Sequence, residues 1–73
     1  MMNTFQKKTE RLDHLRNMLG KYAHRWGEYP SARMQKWVDE YNDIKNSMDH
    51  IAWREFCEAR GSSTGHDAYD LLA

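Results

Sequence analysis

The chain has 73 residues, of which 40% are hydrophobic and 30% are charged, and its formal net charge is zero. A chain of this length forms one domain at most and can bury only a limited core. Zero net charge excludes the large basic excess that drives strong non-specific phosphate binding. No stretch approaches the 18 or so consecutive apolar residues of a membrane-spanning helix, so we expect no membrane partner.

Charge is sorted along the chain, although its total is zero. Residues 1–36 contain eight Lys or Arg and three Asp or Glu, whereas residues 37–73 contain three and eight respectively. Sorting of this kind affects partners and association rates more than it affects the fold. It is the first feature of the sequence that indicates an interaction with another molecule.

The sequence contains a single cysteine, Cys57. One thiol cannot form an intramolecular disulfide, and small secreted domains usually depend on several disulfides. We therefore expect a reducing, cytoplasmic location. Without disulfides the fold depends on its core, and we expect that core to be rich in aromatic residues and methionine, since the chain has three Trp, four Tyr and five Met.

The first third of the chain has the apolar spacing of an amphipathic helix. From Leu12 onward, steps of three and four residues place the apolar positions on one helix face. Asn3 or Thr4 can cap the start, and Gly27 followed by Pro30 is typical of a helix end. We predict a single helix over residues 4–26, with an apolar face of Phe5, Leu12, Leu15, Leu19, Tyr22 and Trp26.

A second helical pattern begins after Pro30. Its apolar positions, again three and four residues apart, are Met34, Trp37, Tyr41, Ile44, Met48 and Ile51. The next apolar group, around Trp53 and Phe56, is rotated off that face, and Asn46-Ser47 offers a stop and a new cap. Residues 31–60 therefore form either one long bent helix or two helices that break near residues 46–49. Arg60 followed by Gly61 indicates the helix end.

The last residues form a polar segment and a short apolar turn. Gly61 to Gly65 have the composition of a flexible linker, and Asp67 can cap a turn that carries Ala68, Tyr69, Leu71 and Leu72. No segment shows strand alternation. We predict an all-α fold, a small helical hairpin or three-helix bundle over residues 1–61, followed by a flexible linker and a short C-terminal amphipathic segment over residues 62–73. This last segment either docks on the bundle or stays free as a terminal peptide.

Two sets of residues are candidates for contacts with a partner. The first is a basic stripe beside the apolar face of helix 1, composed of Lys7, Lys8, Arg11, Lys21 and Arg25. These side chains either face phosphates or an acidic protein surface, or they pair within the molecule with Asp39, Glu40 and Asp43. The second set is aromatic, because Trp and Tyr are enriched at binding hot spots and the small core cannot enclose all of them. The candidates for exposed anchors are Tyr29, Trp53 and Tyr69.

The sequence shows no complete motif of an enzyme. Residues 61–65 match the letters of Gly-x-Ser-x-Gly, but the hydrolase motif stands between a strand and a helix, and no strand is predicted here. The sequence contains no phosphate-binding glycine loop and no His-Glu-x-x-His. His50 and Cys57 share one side of a continuous helix, but they supply two ligands where a structural zinc site usually needs four. We therefore expect no catalytic residues, no metal and no cofactor.

The chain resembles small phage-encoded proteins that take over host machinery, since it is one short domain with one cysteine, many aromatic residues and no enzymatic motif. Within that class it is similar, in length and general character, to the RNA-polymerase-binding transcription regulators of Xanthomonas phages. The resemblance implies a protein that binds a larger host protein, RNA polymerase or another nucleic-acid enzyme, and modulates its activity. It assigns a role to no individual residue.

The leading hypothesis from the sequence is therefore a small non-enzymatic interaction protein that acts on a larger protein. The sorted charge, the surplus of aromatic residues and the lack of a catalytic set favour it. Two alternatives stay open. Direct DNA or RNA binding would use the basic stripe of helix 1, whereas self-association would use the apolar helix faces in an intermolecular bundle.

Overall fold

The predicted all-α fold is confirmed by the structure, a computed structural model that describes residues 3–23 and 31–72. Within these ranges the chain forms three α-helices, α1 (Thr4–Tyr22), α2 (Ser31–Ser47) and α3 (His50–Ala59), and a C-terminal 3-10 helix (Ala68–Leu72). No β-strand occurs in the part of the chain so described. The predicted end of the first helix at Gly27, and its last turn over residues 24–26, lie outside the described residues.

The start of α1 is fixed by a reciprocal capping box. The backbone N–H of Gln6 donates to the Asn3 side chain at 2.8 Å, and the backbone N–H of Asn3 donates to the Gln6 side chain at 3.1 Å. Two N–H groups that an uncapped helix would leave without a partner are thereby satisfied. The prediction of one continuous helix through Gly20 is confirmed as far as Tyr22.

The alternative of two helices is correct for residues 31–60. The chain leaves the helical conformation at Met48, and Asp49 is extended, with φ −70° and ψ 163°. The Asp49 side chain accepts a hydrogen bond from the backbone N–H of Ala52 at 2.8 Å and so caps the next helix. The new cap is therefore Asp49 rather than Ser47, where the sequence pattern placed it.

The end of α3 follows the prediction at Arg60 and Gly61. Gly61 has φ 65°, in the left-handed region that residues with a Cβ adopt at a cost. The N–H of Ser62 donates to the carbonyl of Cys57 at 2.9 Å, and that of Gly61 donates to Glu58 at 3.2 Å. This is the Schellman arrangement, which satisfies the last carbonyls of a helix and turns the chain away.

The helices form a bundle around one core. α1 and α2 are antiparallel, as the contacts of Arg11 with Glu40 and of Lys8 with Ser47 show. α3 returns beside α1 in the same direction, so that Arg60 near its end reaches Asp13. The residues of the core are Leu12, Leu15, Leu19, Val38, Tyr41, Trp53, Phe56, Cys57 and Ala68.

The segment after residue 61, predicted as a flexible linker and an amphipathic turn that docks or stays free, packs on the bundle. Thr64 accepts a hydrogen bond from the Trp53 indole at 2.9 Å, and His66 is 9% exposed. Asp67 caps the turn as predicted, because its side chain accepts from the backbone N–H of Tyr69 at 2.9 Å. The apolar turn is docked rather than free, since Ala68 belongs to the core.

Candidate protein-binding groove

A groove lies between the first turns of α1 and the length of α3. It consists of three neighbouring depressions of about 370, 300 and 220 Å³, and Phe5 lines all three. The backbone of α1 lies closer to α2 and the 3-10 helix than to α3, and Phe5 lies on the α3 side. We call it the Phe5–Ile51 groove, and its principal lining residues are Phe5, Lys8, Asp49, Ile51, Ala52 and Glu55.

The two helix caps determine which side chains face the groove. Because Asn3 starts α1, Phe5 lies in the first turn, before the helix reaches the buried position of Leu12. Because Asp49 starts α3, the helix phase is reset there, and Ile51 leaves the apolar face that it shares with Met48 in the sequence pattern. The pattern that placed Ile51 with the core positions of the second helix was therefore wrong.

Phe5 and Ile51 expose apolar surface at the groove. Phe5 is 38% exposed and Ile51 is 69% exposed, and both line the 370 Å³ depression together with Ala52. Single exposed apolar residues are common, whereas large ones that share a concave surface mark interaction sites more often. Sequence reasoning missed this pair because a helical pattern does not show where one helix ends and the next changes direction.

The groove has two cations, both hydrogen-bonded within the molecule, and two carboxylates, of which Asp49 caps α3. Arg60 donates two hydrogen bonds to the carboxylate of Asp13, each 2.6 Å long, and Lys8 Nζ donates to the carbonyl of Ser47 at 3.3 Å. Among residues 3–23 and 31–72, neither Asp49 nor Glu55 forms an ion pair. The groove therefore presents an apolar floor beside carboxylates whose charge no side chain of the described ranges compensates directly.

The structure separates the residues of the predicted basic stripe. Lys8 lines the groove, whereas Lys7 is exposed and lies outside the groove lining. Arg11 forms an ion pair with Glu40, and the Arg11 Nη2 to Glu40 Oε1 distance is 2.8 Å. Lys21, near the other end of α1, lies 5.5 Å from the centre of the Tyr22 ring. Arg25 lies outside the described residues.

The three predicted aromatic anchors have different outcomes. Trp53 is 6% exposed, so the prediction that it is an exposed anchor was wrong. Its ring stacks on Phe56, with centroids 5.4 Å apart, and its indole N–H is bonded to Thr64. Tyr69 is 49% exposed and accepts a hydrogen bond from Gln35 at 3.0 Å, away from the groove. Tyr29 lies outside the described residues.

The buried titratable groups lie on the opposite side of α3, in the core. Tyr41 Oη lies 2.8 Å from Nε2 of His66, and burial raises the pKa of the Tyr41 hydroxyl. Burial also raises the pKa of the Cys57 thiol, which disfavours the reactive thiolate. No group of three or more His, Cys, Asp or Glu side chains with the spacing of a metal site occurs in the described part of the chain.

Comparisons with known proteins add no name to this geometry. Neither protein-family models, nor curated proteins, nor solved structures gave a match to the chain. Among the described residues, no helix combines the length and the apolarity that crossing a bilayer requires. The case for a function therefore rests on the groove and on the residues around it.

Proposed function

We propose that this protein is a small non-enzymatic interaction protein that binds a helical segment of a larger protein in the Phe5–Ile51 groove and thereby modulates that protein. A host transcription or nucleic-acid-processing enzyme is the class of partner that the resemblance in overall character implies. The observation that carries the proposal is the 69% exposure of Ile51 beside Phe5 in a shallow, open depression. Apolar anchors that a partner can cover typically dominate binding energy.

The geometry of the groove suits a helix as the occupant. A helix with its side chains is about 10–12 Å across, and amphipathic helices often bind by placing apolar residues in a groove between two helices. Here α1 and α3 run in the same direction and form the two walls, while Ala52 gives a low floor beside Ile51. The ten residues of α3 provide a wall about 15 Å long, which equals nearly three helical turns of a partner.

The contacts of the basic stripe favour a protein partner over nucleic acid. Arg11 is held by Glu40, and Lys8 by the last carbonyl of α2. Binding of phosphates would have to compete with these contacts, and the carboxylates of Glu55 and Asp49 would repel the phosphate backbone. Direct nucleic-acid binding is therefore the weaker alternative, and self-association through the same groove is a distinct outcome of the tests below.

The test compares proteins retained from cell lysate by three immobilised forms of the chain. The wild type is set beside Ile51→Ser, which removes the exposed apolar group without a change of charge, and beside Lys36→Ser, an exposed position of α2 outside the groove. We expect at least one protein to be retained by both the wild type and Lys36→Ser. When that protein is purified and titrated, its affinity for Ile51→Ser should be lower than its affinity for the wild type by about tenfold or more.

The result that contradicts the proposal is equally definite. If every protein retained above background binds Ile51→Ser as well as it binds the wild type, the groove is not the binding site. If nothing is retained at low salt, the chain has no partner of this kind in that cell. Circular dichroism of Ile51→Ser supplies the control for folding, and we expect no change because Ile51 is largely exposed.

A further inference from the structure

We propose that the segment bound in the Phe5–Ile51 groove is a cationic amphipathic helix, with apolar residues along one face and lysine or arginine beside them. This inference rests on the proposed function, because it names the chemistry of the partner at the same site. It reverses the sign that the basic stripe of helix 1 indicated in the sequence, which was an acidic surface or phosphate.

The carboxylates stand where a bound helix would present its flanking residues. Asp49 and Glu55 both line the 370 Å³ depression in which Phe5 and Ile51 expose apolar surface. Glu55 also lines the 300 Å³ depression farther along α3, and Asp49 also lines the 220 Å³ depression nearer the end of α2. Each of the three depressions therefore has an acidic residue in its wall, and a lysine or arginine beside an apolar anchor could reach it.

Of the two cations in the same walls, Arg60 forms an ion pair, whereas Lys8 is hydrogen-bonded to a backbone carbonyl. The guanidinium of Arg60 is bound through two nitrogens to Asp13, at 2.6 Å each, and this pairing cancels its charge locally. The ammonium of Lys8 lies at the last turn of α2, where the negative end of the helix dipole and the carbonyl of Ser47 favour it. Two carboxylates, Asp49 and Glu55, therefore stand against one cation without an ion pair, Lys8. The net charge that the lining presents is negative, so a cationic partner gains and an acidic one is repelled.

The helix ends at the groove do not reverse this sign. α1 and α3 both begin here, and a helix N-terminus carries about half a positive charge. The Asn3–Gln6 capping box satisfies two of the N–H groups at the start of α1, and Asp49 places a full negative charge at the start of α3. A carboxylate or phosphate from a partner would therefore meet the Asp49 charge before it met the end of α3.

The test titrates two fluorescein-labelled peptides by fluorescence anisotropy. Each peptide has about 14 residues, or about four helical turns, with leucines on one face. The flanking positions are all lysine in one peptide and all glutamate in the other. They are measured against the wild type, Ile51→Ser, Glu55→Lys and Asp43→Lys. Asp43 is an exposed acid of α2 outside the groove, so its reversal gives the same change of net charge as Glu55→Lys without altering the site.

We expect the lysine peptide to bind the wild type and Asp43→Lys with similar affinity. Glu55→Lys should weaken it about fivefold or more, the scale of one or two exposed charge contacts. The glutamate peptide should bind the wild type more weakly than the lysine peptide and should gain affinity for Glu55→Lys. Ile51→Ser should weaken whichever peptide binds, because it removes the apolar anchor.

Several outcomes would overturn the inference, and they are distinct from a failure of the proposed function. Equal affinity of both peptides, with sensitivity to Ile51→Ser, would leave the groove as the site and remove the charge preference. Loss of binding with Asp43→Lys as large as with Glu55→Lys would show non-specific attraction. Absence of binding by either peptide would also overturn it, while retention of a lysate protein would still test the groove.

Two further measurements test other occupants of the groove. If light scattering shows that the wild type dimerises and that Ile51→Ser does not, the occupant is a second copy of the chain. If the wild type shifts duplex DNA in a gel and Lys7→Glu does not, nucleic acid is favoured.

Discussion

Tyr41 is a buried residue that bonds to both α1 and the C-terminal segment. Its hydroxyl oxygen accepts a hydrogen bond from Arg16 Nη1 at 3.4 Å and lies 2.8 Å from Nε2 of His66. Nδ1 of His66 lies 2.5 Å from the carbonyl of Ser63, which can only accept, so Nδ1 carries a hydrogen. In the neutral ring, Nε2 then accepts from the Tyr41 hydroxyl, and both ring nitrogens of this buried residue are satisfied.

Tyr41→Phe should destabilise the fold by about 1–3 kcal/mol, because it leaves Nε2 of the buried His66 without its partner. Urea-induced unfolding followed by tryptophan fluorescence measures the effect. The matched control is Tyr69→Phe, which removes a hydroxyl from a half-exposed ring and from its bond to Gln35. We expect the control to change stability by about 0.5 kcal/mol or less, and equal effects of the two substitutions would contradict the role given to Tyr41.

The residue scale also shows where sequence reasoning fails for single side chains. Trp53 was predicted to be exposed because it lies off the apolar face of the preceding helix. In the structure the C-terminal segment covers Trp53. The Thr64 carbonyl accepts a hydrogen bond from its indole, and the centre of the His66 ring lies 5.1 Å from the centre of the Trp53 ring. A local sequence pattern cannot predict that residues eleven or more positions further along the chain will bury this side chain. The burial of Trp53 in α3 could therefore not be predicted from the sequence.

At the scale of elements, the break between α2 and α3 shapes the molecule most. A single helix over residues 31–60 would carry Ile51 and Phe56 away from α1, because a straight helix rises about 1.5 Å per residue. The break at Met48 and Asp49 sends α3 back beside α1 and creates both the core contacts of Phe56 and the groove beside Phe5.

Asp49→Ala should reduce the stability of the fold by about 1 kcal/mol, the usual contribution of an N-cap side chain. Asp49→Asn is the matched control, because asparagine caps a helix about as well as aspartate while it lacks the charge. Thermal unfolding by circular dichroism compares the three proteins. If Asp49→Asn destabilises as much as Asp49→Ala, the charge of Asp49 rather than its cap matters, and the helix start is held by other contacts.

The elements themselves were largely predictable from the sequence. The apolar spacing, Asn3, Gly61 and Asp67 located the helices and their ends, because caps and periodicity depend on residues close in the chain. The groove was not predictable, since it depends on the angle at Asp49 and on the distance between two helices that are far apart in sequence. Among the members of the predicted partner-binding set that lie in the described ranges, Lys8 alone is in the groove lining.

For the whole molecule, folding rearranges the sorted charge. The ion pair of Arg11 with Glu40 joins the positive and the negative half of the chain, as expected for antiparallel helices. The ion pair of Arg60 with Asp13 instead joins the minority charges of the two halves, so it leaves the excess of each half in place. Exposed side chains therefore still carry excess charge of each sign. Asp49 and Glu55 in the groove are part of the negative excess.

The two ion pairs predict that stability falls in acid. The Arg60 guanidinium lowers the pKa of Asp13 from its ordinary 3.8, and the Arg11 guanidinium lowers the pKa of Glu40 from its ordinary 4.5, in both cases mainly through hydrogen bonds. Because the folded pKa values lie below the unfolded ones, the contribution to stability is complete above about pH 5 and is lost as the pH falls through the lowered values. Each pair contributes about 1 kcal/mol or less, since the two carboxylate side chains are 44% and 39% exposed.

Urea midpoints measured from pH 7 to pH 2 check this expectation. The double variant Asp13→Asn with Glu40→Gln should be less stable than the wild type at pH 7, and the difference should shrink toward zero in acid. Asp43→Asn, an exposed acid outside the ion pairs, should keep the pH dependence of the wild type. A wild type and a double variant that lose stability in parallel would show that other groups cause the acid sensitivity.

The packing of His66 and Ala68 into the core has a consequence for synthesis in the cell. The ribosome releases the chain from its N-terminus, so α1, α2 and α3 emerge before the two residues that cover Tyr41 and Trp53. Until residues 66–72 have left the exit tunnel, the nascent helices lack part of their core and stay accessible to chaperones and proteases. Each new molecule therefore completes its core only when this last segment has packed on the three helices.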